Sequence, residues 1–237
     1  MRYNQRSYTW EGSKATPEKS LSLVKRTFST SSLYGNYMKP ESSNLDDYLV
    51  ADDVVDWKHP AIQEKAQTIV AGVANDVEKT RLLFEWVRDE IPHSKDIDSD
   101  VVTCSASEVL SAGTGICFAK SHLLAAFLRG VGIPAGFCYQ VLRRDPPFEG
   151  LVLHGLNGMF LPSLEKWIRV DPRGNIDDIN AQFSTEREQL AFPIDSSAGE
   201  FIYETIYASP VRVVVETLRK FDNRTVMWPH LPIRLGD

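Results

Sequence analysis

Residues 106–137 read ASEVLSAGTGICFAKSHLLAAFLRGVGIPAGF, and the reading of this stretch decides the fold. Ala106 to Leu110 has the pattern of a short helix, broken by Gly113 and Gly115. A longer helix begins at Ile116 or Cys117, sets Leu124, Phe127, Leu128 and Val131 on one face, and stops at Gly132 with Pro134 close behind. Cys117 therefore sits in the first turn of a helix, directly after a glycine-rich turn. There the positive end of the helix dipole and unpaired backbone N–H groups favour thiolate over thiol. Phe137, Tyr139 and Val141 then alternate along a strand from Ala135 to Arg144.

Upstream, His59-Pro60 opens a helical pattern through Ile62, Ala66, Ile69, Val70 and Val73, ending near Gly72 or Asn75. Asp76 can cap a second helix that carries Val77, Thr80, Leu83, Phe84, Val87 and Ile91 on one face and stops at Pro92. Downstream, Leu151–Leu161 and Lys166–Asp171 read as two more strands, followed by a turn at Pro172-Arg173-Gly174-Asn175 and a β-rich run from Val211 to Val215. Helices first and antiparallel strands afterwards predict an α+β domain over residues 46–237. Residues 1–45, polar apart from a patch at Leu21, Leu23, Val24 and Phe28, read as an N-terminal extension.

His154 and Asp171 follow Cys117 in order, each in a strand-like context. A thiol nucleophile needs a base within hydrogen-bond reach and a third group that fixes the base's tautomer, and adjacent strands can supply both. On composition alone, a free cysteine is more often a packing residue and a strand histidine a satisfied polar group. Cys104 and Cys138 illustrate that second reading and are taken as structural.

A net charge of −6, with no Lys/Arg cluster longer than a pair, argues against a nucleic-acid surface. No stretch approaches the length of a membrane span, and the polar start lacks a signal-peptide core, so the expected location is cytoplasmic. Three irregularly spaced cysteines fit neither a disulfide framework nor a zinc knuckle, and no metal or cofactor is expected. The acidic residues Asp96, Asp98 and Asp100 lack the glycine and distal glutamate of a calcium loop and read as solvated.

The quoted stretch resembles the nucleophile segment of the transglutaminase-like superfamily, in which Gly-x-Cys precedes a helix that closes, as here, in Arg129-x-x-Gly132-Ile133-Pro134-Ala135. LHGLNGMFL, with His154, is similar to the family's histidine strand. WIRVDPRGN, ending the Trp-x-x-x-Asp-Pro signature at Asp171, is similar to the segment of its third triad member. LLFEWVRDEIPHS resembles the helix leading into the domain, so the likeness covers about residues 60–175.

The resemblance implies a papain-like cysteine-protease (transglutaminase core) fold with helices packed on an antiparallel sheet. It also implies a catalytic Cys117, His154 and Asp171 triad working through a thioester. The expected reaction is hydrolysis of a peptide or isopeptide bond, with a peptide or protein as substrate. Transfer to an amine acceptor, as in a transglutaminase, and a non-catalytic peptide-binding module remain the alternatives. An arylamine acetyltransferase-type reading lacks its Arg-Gly-Gly, replaced by Gly113-Thr114-Gly115.

The Cys117 N–H would supply one oxyanion donor, and Trp86 or His93 are candidates for the second. His93 replaces a tyrosine common in the family and is read mainly as a loop residue. Leu156-Asn157-Gly158 depart from the family's pattern after the histidine, which implies an altered acceptor surface. Arg143, Arg144 and Arg173 could rim a cleft, though each alone reads as solvated.

Overall fold

In chain order the elements are β1 (Lys39–Pro40), α1 (Pro60–Ile69), α2 (Asp76–Glu90), α3 (Ala106–Ala112), α4 (Cys117–Gly130), β2 (Ala135–Arg143), β3 (Leu151–Leu161), β4 (Lys166–Val170), β5 (Phe201–Ile202), β6 (Thr205–Ile206), α5 (Arg212–Lys220) and α6 (Arg224–Met227). They come from a computed structural model, which describes residues 38–236. The patch at residues 21–28, and most of the extension drawn over 1–45, lie outside those residues.

The start of each early helix is written in its capping residue. His59 Nδ1 accepts the Ala61 N–H ahead of Pro60 at the first helical position, and Asn75 Oδ1 accepts the Glu78 N–H at 3.0 Å. The cap of α2 is thus Asn75, while Asp76 accepts the Ser163 N–H at 2.9 Å. Ser105 and Glu108 form a reciprocal capping box on α3, which ends at Gly113 with φ +66, a conformation glycine adopts without strain.

Helix α4 is enclosed: every residue from 118 to 129 is buried, polar ones included. Helices α1, α2 and α3 pack around it on one side, and β2 and β3 on the other. The main sheet has the order β4-β3-β2-β5 and is antiparallel throughout. Full burial of each Leu or Phe of α4 contributes about 1.5–3 kcal/mol, so this helix anchors the core.

Two side chains lock α4 to the sheet. Arg129 donates to Ala135 O (3.0 and 2.7 Å), Val50 O and Ala208 O (both 2.6 Å), tying together the helix end, β2 and two loops. Asn157 Nδ2 donates to Ser121 O at 3.0 Å and Gly136 O at 3.2 Å. Gly155 permits the close approach, since a Cβ there would stand 2.6 Å from Phe118 Cδ1.

Besides the cap of α2, three expectations change. The run Val211–Val215 is not a strand: it enters α5, where Val214 and Leu218, four apart, face the core while Arg212 pairs with Glu216 on the exposed side. Spacing of the buried positions overrides the β preference of consecutive valines. Lys39–Pro40 pairs in parallel with Thr205–Ile206, so the boundary drawn at residue 45 cuts through a two-stranded ladder. Leu156, Asn157 and Gly158 are interior: Leu156 packs with Tyr48, Cys138 and Ile206, and the departure from the family pattern alters the core rather than an acceptor surface.

Candidate active site

The fold brings the first turn of α4, the middle of β3 and the residue just past β4 to one place. The β3–β4 ladder runs from Leu161↔Lys166 to Asn157↔Val170, so Asp171 leaves β4 beside the strand that holds His154. His154 Nε2 lies 2.8 Å from Asp171 Oδ2, with His154 5% exposed and Asp171 fully buried. The carboxylate is held in turn, Oδ1 by the Arg173 N–H (3.0 Å) and Oδ2 by the Ala191 N–H (3.3 Å). With Nε2 committed to Asp171, Nδ1 is the nitrogen left for the thiol, and Cys117 lies close enough to the ring to favour its charged form.

Burial works against a charged His154, but the Asp171 carboxylate and then Cys117 outweigh it and raise the ring to about 10. The imidazolium is therefore the resident form at neutral pH. Phe192 covers it edge-on with ring centroids 5.0 Å apart, and Gln140, the cross-strand partner of His154, donates from Nε2 to Phe192 O at 3.2 Å.

Cys117 is half-buried at a helix start that differs from those of α1, α2 and α3: the N-cap is Ile116, and no side chain caps the first-turn amides. Those N–H groups face the position where negative charge gathers on a thiolate or oxyanion. The turn before it is stitched in place. Ser94 N donates to Gly115 O at 3.2 Å, Thr114 Oγ1 donates to Pro92 O at 2.8 Å, and a side chain on Gly115 would meet Thr103 Oγ1 at 3.0 Å.

His93 bridges to Gly115 in this stitching and is 4% exposed, so it is not a solvated loop residue. Burial, with Arg173 and Lys120 nearby, holds it well below the ordinary imidazole range. Its Nδ1 accepts the Lys95 N–H at 3.2 Å, which places the proton of the neutral ring on Nε2. Trp86 is elsewhere. Its ring packs against Phe127 at 5.6 Å, and Phe127 is ten residues along α4 from Cys117, about 15 Å at the helical rise. The regular spacing of α2 gave its apolar face but not the direction of Trp86.

A cavity of about 500 Å³ opens beside Cys117 and His154. Its wall combines apolar groups such as Leu142, Phe192, Trp228 and Leu231 with charged ones. Arg143, Arg144 and Arg173 all line it. Arg173 is 7% exposed and holds Asp96 with both nitrogens (2.5 and 2.8 Å), while Arg144 donates to Leu151 O, Trp228 O and Leu231 O. The acidic segment is solvated as read, with Asp98 and Asp100 exposed, yet each carboxylate also has a partner: Asp96 in Arg173, Asp98 in Arg224 and Asp100 in Thr225.

Cys104 and Cys138 are buried, and burial pushes their thiols up to about 11 and about 12. His122, pulled down to about 4 by burial, hydrogen-bonds through Nδ1 to Cys104 O at 2.7 Å. Among the described residues no helix is long and apolar enough to cross a membrane, and no group of three or more His, Cys, Asp or Glu could hold a metal ion.

Residues 63–172 match the sequence profile of the transglutaminase-like superfamily, a span that contains Cys117, His154 and Asp171. None of the curated proteins matches the sequence. Among solved structures, similarity is found to a candidate cysteine protease from Cytophaga hutchinsonii (17% identical, TM-score 0.46, covering 56% of this chain and 43% of the other). A candidate protease from Parabacteroides distasonis is 13% identical with TM-score 0.35, over 52% of this chain and 25% of the other. A protein described as a TGase is 16% identical with TM-score 0.36, over 56% and 34%. The chain thus spans less than half the length of each of these structures.

Proposed function

We propose, for a chain that belongs through residues 63–172 to the transglutaminase-like superfamily and has its α+β core, that Cys117, His154 and Asp171 form the triad of a cysteine-dependent amide hydrolase acting on a peptide or isopeptide bond. The observation that carries the reading is the bond of His154 to the buried Asp171 at 2.8 Å with Cys117 beside the ring, both Cys117 and His154 lining a cavity large enough for a side chain and its flanking peptide.

In this mechanism Cys117 Sγ, as thiolate, attacks the amide carbonyl carbon. The oxyanion takes the Cys117 N–H, and His93 Nε2–H is the second donor. As the tetrahedral intermediate collapses, His154 Nδ1 gives its proton to the leaving nitrogen, the C–N bond breaks, and a thioester remains on Cys117. His154 then removes a proton from water, the hydroxide adds to the thioester, and the acid leaves as the thiolate returns. Asp171 keeps the proton of Nε2 in place throughout and offsets the charge on the ring.

Water is the assigned acceptor because the cavity wall carries Lys95, Arg143, Asp145, Asp195 and Glu200, groups that keep water beside the thioester. The test is alkylation of the full-length protein by brief iodoacetamide treatment across pH 5–9, read by mass spectrometry, followed by a peptide-amide screen with and without an added primary amine. Preferential labelling of Cys117 at low pH, lost in His154→Ala, supports the triad. Labelling of Cys117 no faster than an ordinary thiol refutes it, and an amine adduct in place of the free acid would move the reading to transglutaminase.

A further inference from the structure

Lys120 is a lysine with no exposed surface, one helical turn past Cys117, and the chemistry above does not use it. Its Nζ donates to Arg173 O at 2.9 Å, to Arg88 O at 3.3 Å and, over a short contact, to Ile91 O. Three carbonyl acceptors require three N–H donors, which an ammonium has and a neutral amine lacks. Two of the acceptors lie at or just beyond the C-terminus of α2, where the helix dipole is negative and carbonyls lack intrahelical partners.

We propose, resting on the Cys117 reading, that Lys120 is a positioning residue whose ammonium fixes the Asp171–Arg173 turn and the Ile91–His93 segment in the arrangement that lets Asp171 orient His154. The connection is short at each step. Lys120 holds the Arg173 carbonyl, the Arg173 N–H holds Asp171 Oδ1, and Asp171 Oδ2 holds His154. The Arg173 guanidinium anchors the far side of the turn on Asp96. On the other arm, the Ile91 carbonyl lies two residues before His93, so one ammonium sets both the triad acid and the candidate oxyanion donor. The turn is tight around it, since a Cβ on Gly174 would stand 3.4 Å from Lys120 Nζ and 3.3 Å from Arg88 O.

Charged groups face Lys120 from each surrounding segment: Asp89 on α2, Asp96 and His93 on the following segment, and Asp171 and Arg173 on the turn. Burial, reinforced by Arg173, pulls its ammonium down to about 7, opposed by Asp171, Asp96 and Asp89. Removing a proton would leave one carbonyl facing a lone pair, so the three-donor seat is complete in the ammonium form, which holds at the acid end of the labelling range.

The test is the pH dependence of Cys117 alkylation in the full-length protein, with thermal unfolding as the control for fold. Lys120→Met keeps the length and removes every donor. Its labelling rate at low pH is expected to fall on the order of 10- to 100-fold, as for a misplaced catalytic group. Lys120→Arg, which keeps charge and donors, should hold the low-pH labelling.

A folded Lys120→Met variant with the wild-type profile overturns the proposal, and so does a folded Lys120→Arg variant that loses low-pH labelling. The Arg variant decides alone if the Met variant does not fold. Wild-type protein without His154-dependent labelling overturns the Cys117 reading and this one with it. His154-dependent labelling that is indifferent to Lys120 overturns this one alone.

Discussion

Asp171→Asn keeps the size of the side chain and removes its charge, and the structure gives the consequence a scale. Holding His154 at about 10 against the ordinary 6.5 corresponds to about 5 kcal/mol, at roughly 1.4 kcal/mol per tenfold. Burial acts against the charge, and Asp171 is the largest contribution in its favour, ahead of Cys117. Assigning about half the total to the carboxylate gives 2–3 kcal/mol, on the order of 30- to 150-fold in the imidazolium–thiolate population. Burial would then be opposed by Cys117 without the carboxylate, and the charged form of His154 would be less favoured. The assay is the second-order rate of Cys117 alkylation at pH 5.5–6 in wild type and variant, each checked for cooperative unfolding. A drop of that size is the expected outcome. A folded Asp171→Asn protein that is labelled at the wild-type rate would show that the carboxylate does not support the charge on His154, and the electrostatic argument would fail.

Gly155→Ala should lower stability by about 1–3 kcal/mol, because the new methyl meets the buried Phe118 ring and pushes the first turn of α4 away from β3. A melting temperature unchanged by the substitution would mean that the Phe118 contact is not tight. Stability should also fall as pH drops from about 6.5 toward 4. His93 and His122 are buried neutral with lowered values, so the unfolded chain takes up protons in that window while the folded one does not. His154 has the opposite sign: its contribution is full below 6.5 and is lost as pH rises through about 10. Denaturation midpoints that are flat between pH 6.5 and 5, or no flatter in His122→Asn, would contradict this assignment.

Much of this architecture is legible in the residues. Gly113, Gly132 and Pro134 punctuate the chain where the backbone turns, and the strand read over Leu151–Leu161 coincides with β3. The readings that miss share a physical cause: local pattern reports which side of an element is apolar, but not what surrounds it. Helix α4 reads as buried from its apolar face, but the sequence does not say how its polar residues are satisfied: Lys120, His122 and Arg129 bond carbonyls of other segments, and Ser121 bonds Cys117 O one turn back. Trp86 belongs to a correctly placed helix but points along α4 instead of toward its tip. His93 looks like a loop residue because its bridge to Gly115 joins segments that sequence spacing does not connect. The valines at 213–215 favour a strand locally, whereas the buried pair Val214 and Leu218 is a helical relation that emerges only against a core.

The cavity has a divided origin. Cys117 and His154, with His93 and the β2–β3 walls, lie within residues 63–172, while Phe192, Asp195, Glu200, Trp228 and Leu231 come from the chain that follows. Under the proposed triad, the reacting groups and much of the surface that would select a substrate are thus carried by separate stretches of polypeptide. The second stretch is fastened to the first by side chains such as Arg144 and Arg224, which grip backbone carbonyls regardless of what the neighbouring side chains are. Changes in the tail would therefore alter the cavity wall while leaving Cys117, His154 and Asp171 in place.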